Sequence, residues 1–174
     1  MEKLGSFVKR SPLPIIVKEV GAGIDSNTFQ SIVGKGVAAI DIAGKGGTSW
    51  PYIEGLRSTN EQTSRLGKVF RDWGLPTAVN LEMLQSVLKE KRSWKLIVSG
   101  GIRDGITVLK ALELGADFVG IGLPLFQAAL EAKEKPSKKI EMYKGELRVA
   151  MLGVGRKKVV EDGDNENRIY KTFK

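Results

Sequence analysis

The chain contains neither cysteine nor histidine. Without cysteine it has no disulfide, thiolate nucleophile or thiolate metal site, and a reducing cytoplasm is the expected setting. Without histidine, serine–histidine triads, histidine-ligated zinc and imidazole acid–base catalysis are excluded within this chain. No apolar run reaches the length of a membrane span, and the N-terminus lacks the charged-then-apolar order of a signal peptide, so no membrane partner is expected. Few aromatics interleave with the basic residues of the late segment Lys133 to Lys174, so the net charge of +8 is not read as a nucleic-acid surface.

What is present is ordinary globular material. The 174 residues, 41% of them hydrophobic, suffice for one domain with a real core but not for two large ones. Met1 to Pro14 reads as an entry segment, with Ser11-Pro12-Leu13-Pro14 excluding helix. Ile15 to Lys18 reads as a strand buried on both faces. A helix capped by Asp25 follows, with Phe29, Ile32 and Val33 on one face. After the strand Val37–Asp41, a long polar loop runs from Ile42 to Glu54. A weak helix spans Asn60 to Trp73, and Thr77 is expected to cap the next, whose Leu81, Leu84, Val87 and Leu88 form a core stripe. The strand from Lys95, a helix capped by Asp104, the strand Phe118–Ile121, a helix opening at Pro124 and a last helix around Ile140 to Met151 complete the order. The organisation expected is one unit over residues 1–155 and a charged tail over 156–174.

The chemistry-bearing stretch is Ser99-Gly100-Gly101-Ile102-Arg103-Asp104-Gly105. Adjacent glycines let a backbone approach an anion, helix-terminal N–H groups would face it, and an arginine adds a fixed positive charge. The turn alone fits a phosphate site or a strand-to-helix connection that needs glycine only for its shape. Two strand–helix–strand units resemble each other, Pro14–Lys18 matching Lys95–Ser99. Repeated units with no reversal of strand order favour a (β/α)8 barrel over a doubly wound sheet. A full barrel takes about 250 residues, so four strands correspond to half a barrel. Lys18, Asp41 with its glycine loop, Ser99-Gly100-Gly101 and Gly122-Leu123 would then converge at the C-terminal strand ends, where two adjacent glycine turns make a phosphate cradle.

Val17-Lys18-Glu19-Val20-Gly21, Asp41-Ile42-Ala43-Gly44-Lys45-Gly46-Gly47-Thr48-Ser49-Trp50, Ser99 to Gly105, and Gly115-Ala116-Asp117 with Gly122-Leu123-Pro124 occur in that order. Together they resemble the C-terminal half of type 2 isopentenyl diphosphate isomerase, from Pro14 to about Leu152. The Asp41–Trp50 loop is the specific piece; the others are shared by many FMN barrels. The resemblance implies strands five to eight of the barrel, interconversion of isopentenyl and dimethylallyl diphosphate, and reduced FMN as cofactor. It also implies NADPH as the flavin reductant and Mg2+ as the cation. Lys18 would sit beside the flavin ring, and Ala43 and Thr48 would contact the cofactor. Backbone groups of Gly100, Gly101, Ile102, Arg103, Gly122 and Leu123 would hold its phosphate. Trp50 and Glu54 would approach the substrate, Glu54 as proton carrier. Asp41 is expected to hold its loop rather than a metal, and no metal ligand is assigned. The family's remaining ligands lie in the N-terminal half-barrel, which this chain would need as a partner, and unpaired strands at both sides favour a homo-oligomer. The rivals are an FMN-dependent 2-hydroxy-acid oxidoreductase, which normally needs a histidine base, and a non-catalytic flavin- or phosphate-binding half-barrel.

Overall fold

A computed structural model describes residues 2–88 and 92–159; the expected tail lies outside the described residues from 160 onward. The entry segment contains a helix that the sequence reading did not name, while Ser11 to Pro14 are non-helical as expected. It opens with α1 (Glu2–Arg10), which stops just before the Ser11-Pro12 pair. Leu4 and Val8, one turn apart, lay this helix on the main core.

The first unit is β1 (Ile16–Lys18), α2 (Ser26–Val33) and β2 (Ala39–Asp41). Asp25 caps α2 as expected, its carboxylate accepting from the Asn27 and Thr28 amides at 3.1 Å each. An excursion of two helices follows, α3 (Trp50–Arg57) and α4 (Glu61–Val69), pressed together where Gly55 faces Gly67. The polar loop is therefore shorter than expected: Trp50 to Glu54 are helical, started by the Ser49 side chain and Pro51. The stripe Leu81, Leu84, Val87 and Leu88 is buried, but it spans two short helices, α5 (Thr77–Met83) and α6 (Gln85–Leu88), with Leu84 at the break between them. Thr77 caps neither. Its hydroxyl donates to the Gly100 carbonyl at 2.7 Å, a bond across the fold that wins over local capping.

The second unit comprises β3 (Lys95–Ser99), α7 (Gly105–Glu113) and β4 (Phe118–Gly120). It is followed by α8 (Leu123–Glu131) and α9 (Lys135–Gly153). Among the described residues the sheet has the order β1-β2-β3-β4, every pair parallel. This is an α/β fold with a parallel sheet. The helices cover the face that carries Ile40, Leu96 and Val98, which join Phe29, Ile32, Leu81 and Val108 in one core. Ile140, expected in the core-facing phase of the last helix, is exposed; Tyr143 and Met151 are the residues that α9 buries.

β1 is not buried on both faces. Ile16 is 57% exposed and so is Phe118 of β4, because both lie on outer strands and point to the face that no helix among the described residues covers. A parallel sheet is normally covered on both sides. Among the described residues no helix is long and apolar enough to cross a membrane.

Asn80 of α5 does the work of a strand partner inside this core. Fully buried, its side chain accepts from the Ile24 amide (2.9 Å) and donates to the Ile24 carbonyl (2.7 Å). Asn80→Ala would strand both backbone groups and is expected to cost about 3 kcal/mol, read from urea unfolding; an unchanged midpoint would contradict this role.

Candidate functional site: a glycine-lined cleft

The C-terminal ends of all four strands border one cleft of about 640 Å³, within the size range of small-molecule and cofactor sites. Its walls include Lys18 from β1, Asp41 with Ala43, Gly44 and Gly46 to Thr48 after β2, Ser99 to Arg103 after β3, and Gly120 to Leu123 after β4. The strand register explains the convergence. Lys18 pairs with Asp41, and Asp41 with Ile97, two residues before Ser99, so all three polar side chains leave the sheet on one face.

The floor is where two glycine loops interlock. A methyl group on Gly46 would lie 2.0 Å from the Gly101 nitrogen, and one on Gly100 would lie 2.0 Å from the Gly44 oxygen. No side chain fits at either position. The Gly44 amide donates to the Ser99 carbonyl (3.0 Å), and the Arg103 guanidinium donates to the Gly46 carbonyl (2.8 Å). Arg103 thus clamps one loop to the other.

The turn at Gly101 leads into α7, but the N-terminus of α7 is already occupied. Asp104 accepts from the Thr107 amide at 2.7 Å, as capping predicts, and Glu146 of α9 accepts from the Gly105 amide at 2.7 Å. Two carboxylates there disfavour a further anion. The Arg103 amide donates to the Thr107 hydroxyl at 3.3 Å, so it too has a partner. A helix start at the cleft without a side-chain cap is that of α8: Gly122 provides none, and a methyl group there would meet nothing within 4 Å. The positive end of α8 therefore borders the cleft beside the Gly100-Gly101 turn. This open cradle suits an anionic group held by backbone amides.

Tyr143 of α9 braces the same turn, its hydroxyl donating to the Arg103 carbonyl at 2.9 Å. Burial, and then the Glu146 carboxylate, push its ionisation above the ordinary 10.0. The folded state keeps the phenol neutral where the unfolded chain would lose the proton. Its contribution is therefore full below about pH 10 and is lost as pH rises through the folded value. The wild-type chain is expected to lose stability more steeply than Tyr143→Phe above about pH 10; superimposable urea curves across that range would count against it.

Lys18, Ala43, Thr48, Trp50, Gly100, Gly101, Ile102, Arg103, Gly122 and Leu123 all border the cleft. Glu54 does not. Its side chain is 65% exposed and pairs with Arg57 at 3.5 Å, because α3 turns it one position past the cleft-lining Ile53. Asp41 holds its loop as expected, accepting from the Ala43 amide at 3.0 Å and the Ser99 hydroxyl at 2.8 Å. Ile53 and Phe126 also line the cleft, with neither an adjacent glycine nor a polar side chain of their own to mark them; Ile121 lines it between Gly120 and Gly122. Among the described residues no group of three carboxylates, histidines or cysteines could hold a metal ion.

The fold and cleft define an α/β protein that carries its site at the C-terminal edge of a parallel sheet. Residues 1–166 match the model of the FMN-dependent dehydrogenases, and the chain belongs to that family. It is 41% identical over 155 residues to an isopentenyl-diphosphate delta-isomerase of Nostoc sp., an alignment covering 89% of this chain and 43% of the relative. With the enzyme of the same name from Methanothermobacter thermautotrophicus the identity is 42% over 156 residues, covering 89% and 42%. The chain thus spans less than half the length of these curated relatives. Among solved structures, flavocytochrome b2 with pyruvate bound superposes with a TM-score of 0.66 at 23% identity, over 92% of this chain and 36% of that one. Mandelate oxidase gives 0.60 at 25%, over 91% and 41%.

Proposed function

We propose that the chain is the flavin-binding half, strands five to eight, of an FMN-dependent barrel that interconverts isopentenyl and dimethylallyl diphosphate. The observation that carries this reading is the Asp41–Trp50 loop folded onto the Gly100-Gly101 turn, which makes a cleft with an uncapped helix start at one end and an ammonium group at the other. The isomerase relatives, at 41% and 42% identity, support the substrate class more than the 2-hydroxy-acid oxidase structures at 25% and below. The absence of histidine points the same way.

The donor set fits FMN. Amides of Gly101 and Ile102 and the start of α8 at Gly122-Leu123 would hold the phosphate. Lys18 would neutralise charge on the flavin ring, and Thr48 and the Ala43 backbone would contact it. Bound and reduced by NADPH, the flavin supplies the reactive ring. This chain's part is to bind it, to orient it through the glycine clamp, and to exclude water with Trp50 and Ile53 at the rim. Glu54 would carry the proton to or from the substrate; in the half-barrel its carboxylate stands beside Arg57. The described residues do not fit Mg2+, since no three carboxylates among them converge. The remaining diphosphate and cation ligands would come from the other half-barrel, which would also cover Ile16 and Phe118; further assembly into a cytoplasmic homo-oligomer is part of the same reading.

Gel filtration after incubation with FMN should leave flavin absorbance with the chain. A barrel completed with the N-terminal part of the Nostoc relative should isomerise isopentenyl diphosphate anaerobically with reduced FMN. Flavin reduction by lactate or mandelate without isomerisation would sink the proposal.

A further inference from the structure

We infer that Asp41 is a positioning residue of this cleft, one carboxylate that sets the Lys18 ammonium on one side and the Ala43 turn on the other; the inference rests on the reading of the cleft as a flavin site.

Asp41 ends β2 and is 6% exposed. A buried carboxylate persists only when donors or counter-charge surround it. The Ala43 amide and the Ser99 hydroxyl reach it at 3.0 and 2.8 Å, and the Lys18 ammonium stands 4.0 Å away. These partners come from β1, β3 and the loop after β2, so a single group ties three neighbouring strand ends together. The other charges near Lys18 are committed. The Glu19 carboxylate accepts from the amides of Gly21, Ala22 and Gly23, and the Arg103 guanidinium donates to Gly46. Lys18 itself donates to the Glu19 carbonyl at 2.7 Å, which fixes its stem, while Asp41 is the carboxylate within ion-pair range.

The second task concerns the backbone. Ala43 has φ of 34°, the one described non-glycine residue in the left-handed region. Such a conformation is costly and lasts only where its surroundings enforce it. The Asp41 carboxylate takes the Ala43 amide, and the Gly23 amide takes the Ala43 carbonyl at 3.2 Å. This turn delivers Gly44 and Gly46 against Gly100 and Gly101. Charge and shape at the cleft thus depend on the same two oxygens.

Asp41→Asn separates the tasks, because the amide oxygen still accepts from Ala43 while the charge is gone. Fluorescence quenching of FMN would be compared in the wild type, Asp41→Asn, Lys18→Met and the double variant. Each single substitution is expected to weaken FMN binding about tenfold, the scale of one lost charge-assisted contact, and the double variant about tenfold as well rather than a hundredfold. Multiplying factors, or wild-type affinity in Asp41→Asn, would overturn the inference. A second measurement needs no flavin: the Ala43 amide, which donates to the Asp41 carboxylate, should stay protected from hydrogen exchange in Asp41→Asn and lose about tenfold of its protection in Asp41→Ala, both read in the cofactor-free chain. Equal protection in the two variants would also overturn the inference. Failure of the wild-type chain to bind FMN, with that difference in protection present, would instead overturn the flavin reading.

Discussion

Gly46→Ala is expected to destroy the cleft. The added methyl would sit 2.0 Å from the Gly101 nitrogen and 2.2 Å from the Gly100 carbonyl carbon, both backbone atoms of a turn fixed on its other side by Thr77 and Tyr143. Neither loop can yield cheaply. Gly100 already sits 97° into positive φ, and the Arg103 guanidinium holds the Gly46 carbonyl. Overpacking of this kind costs roughly 3 kcal/mol. If the strain falls on the site rather than on the whole fold, affinity for FMN drops about a hundredfold. Two readouts separate the cases: flavin binding by fluorescence, and thermal unfolding of the cofactor-free chain. Gly122→Ala is the control, since a methyl there meets nothing within 4 Å; the fold should tolerate it. Wild-type binding and stability in Gly46→Ala would show that the two loops are not locked as described.

Phe29→Ala should produce the largest loss of stability. Its ring is fully buried, edge-on to Trp94 with centroids 5.3 Å apart, in the core that joins α2 to β2 and β3. Removal of a phenyl ring from such a site costs about 3–5 kcal/mol, through lost transfer energy and the cavity left behind. Domains of this size have about 5–15 kcal/mol in total, so the variant is expected to be partly unfolded at 37 °C. Urea unfolding followed by tryptophan fluorescence gives the value. A loss below about 1 kcal/mol would mean that the core closes over the gap, or that the Phe29–Trp94 contact does not persist.

The sequence is most legible where the signal is local. Asp25 and Asp104 were readable as caps because a short acceptor before a helical pattern serves the next turn whatever surrounds it. Pro124 and the stripe of Leu81, Leu84, Val87 and Leu88 were readable for the same reason. Strand–helix alternation gave a parallel sheet in sequential order, and the spacing of glycines gave the place of the cleft. Where local and distant demands compete, local reading fails. Thr77 looks like a cap, but its hydroxyl is taken by Gly100, twenty-three positions away. α1 has Glu2 in its first turn and Lys9 and Arg10 in its last, and its apolar Leu4 and Val8 pack on a core made by later residues, which the sequence reading did not assemble. The helix phase that pairs Glu54 with Arg57 likewise depends on where α3 starts, at the Ser49 cap.

The stretch Ser99 to Gly105 divides along that line. Sequence alone determined that a glycine pair ends a strand and that Asp104 starts a helix, since both follow from backbone geometry within a few residues. Which helix end stays open to an anion was a tertiary decision. Glu146, forty-one positions downstream, fills the start of α7, while α8 begins at a glycine with no side chain to cap it. The union of Lys18, Asp41 and Ser99 was tertiary as well, because parallel register aligned three strand ends that lie far apart in the chain. Hydrogen bonds and charges act over a few ångströms, and only the folded sheet brings these groups within that distance.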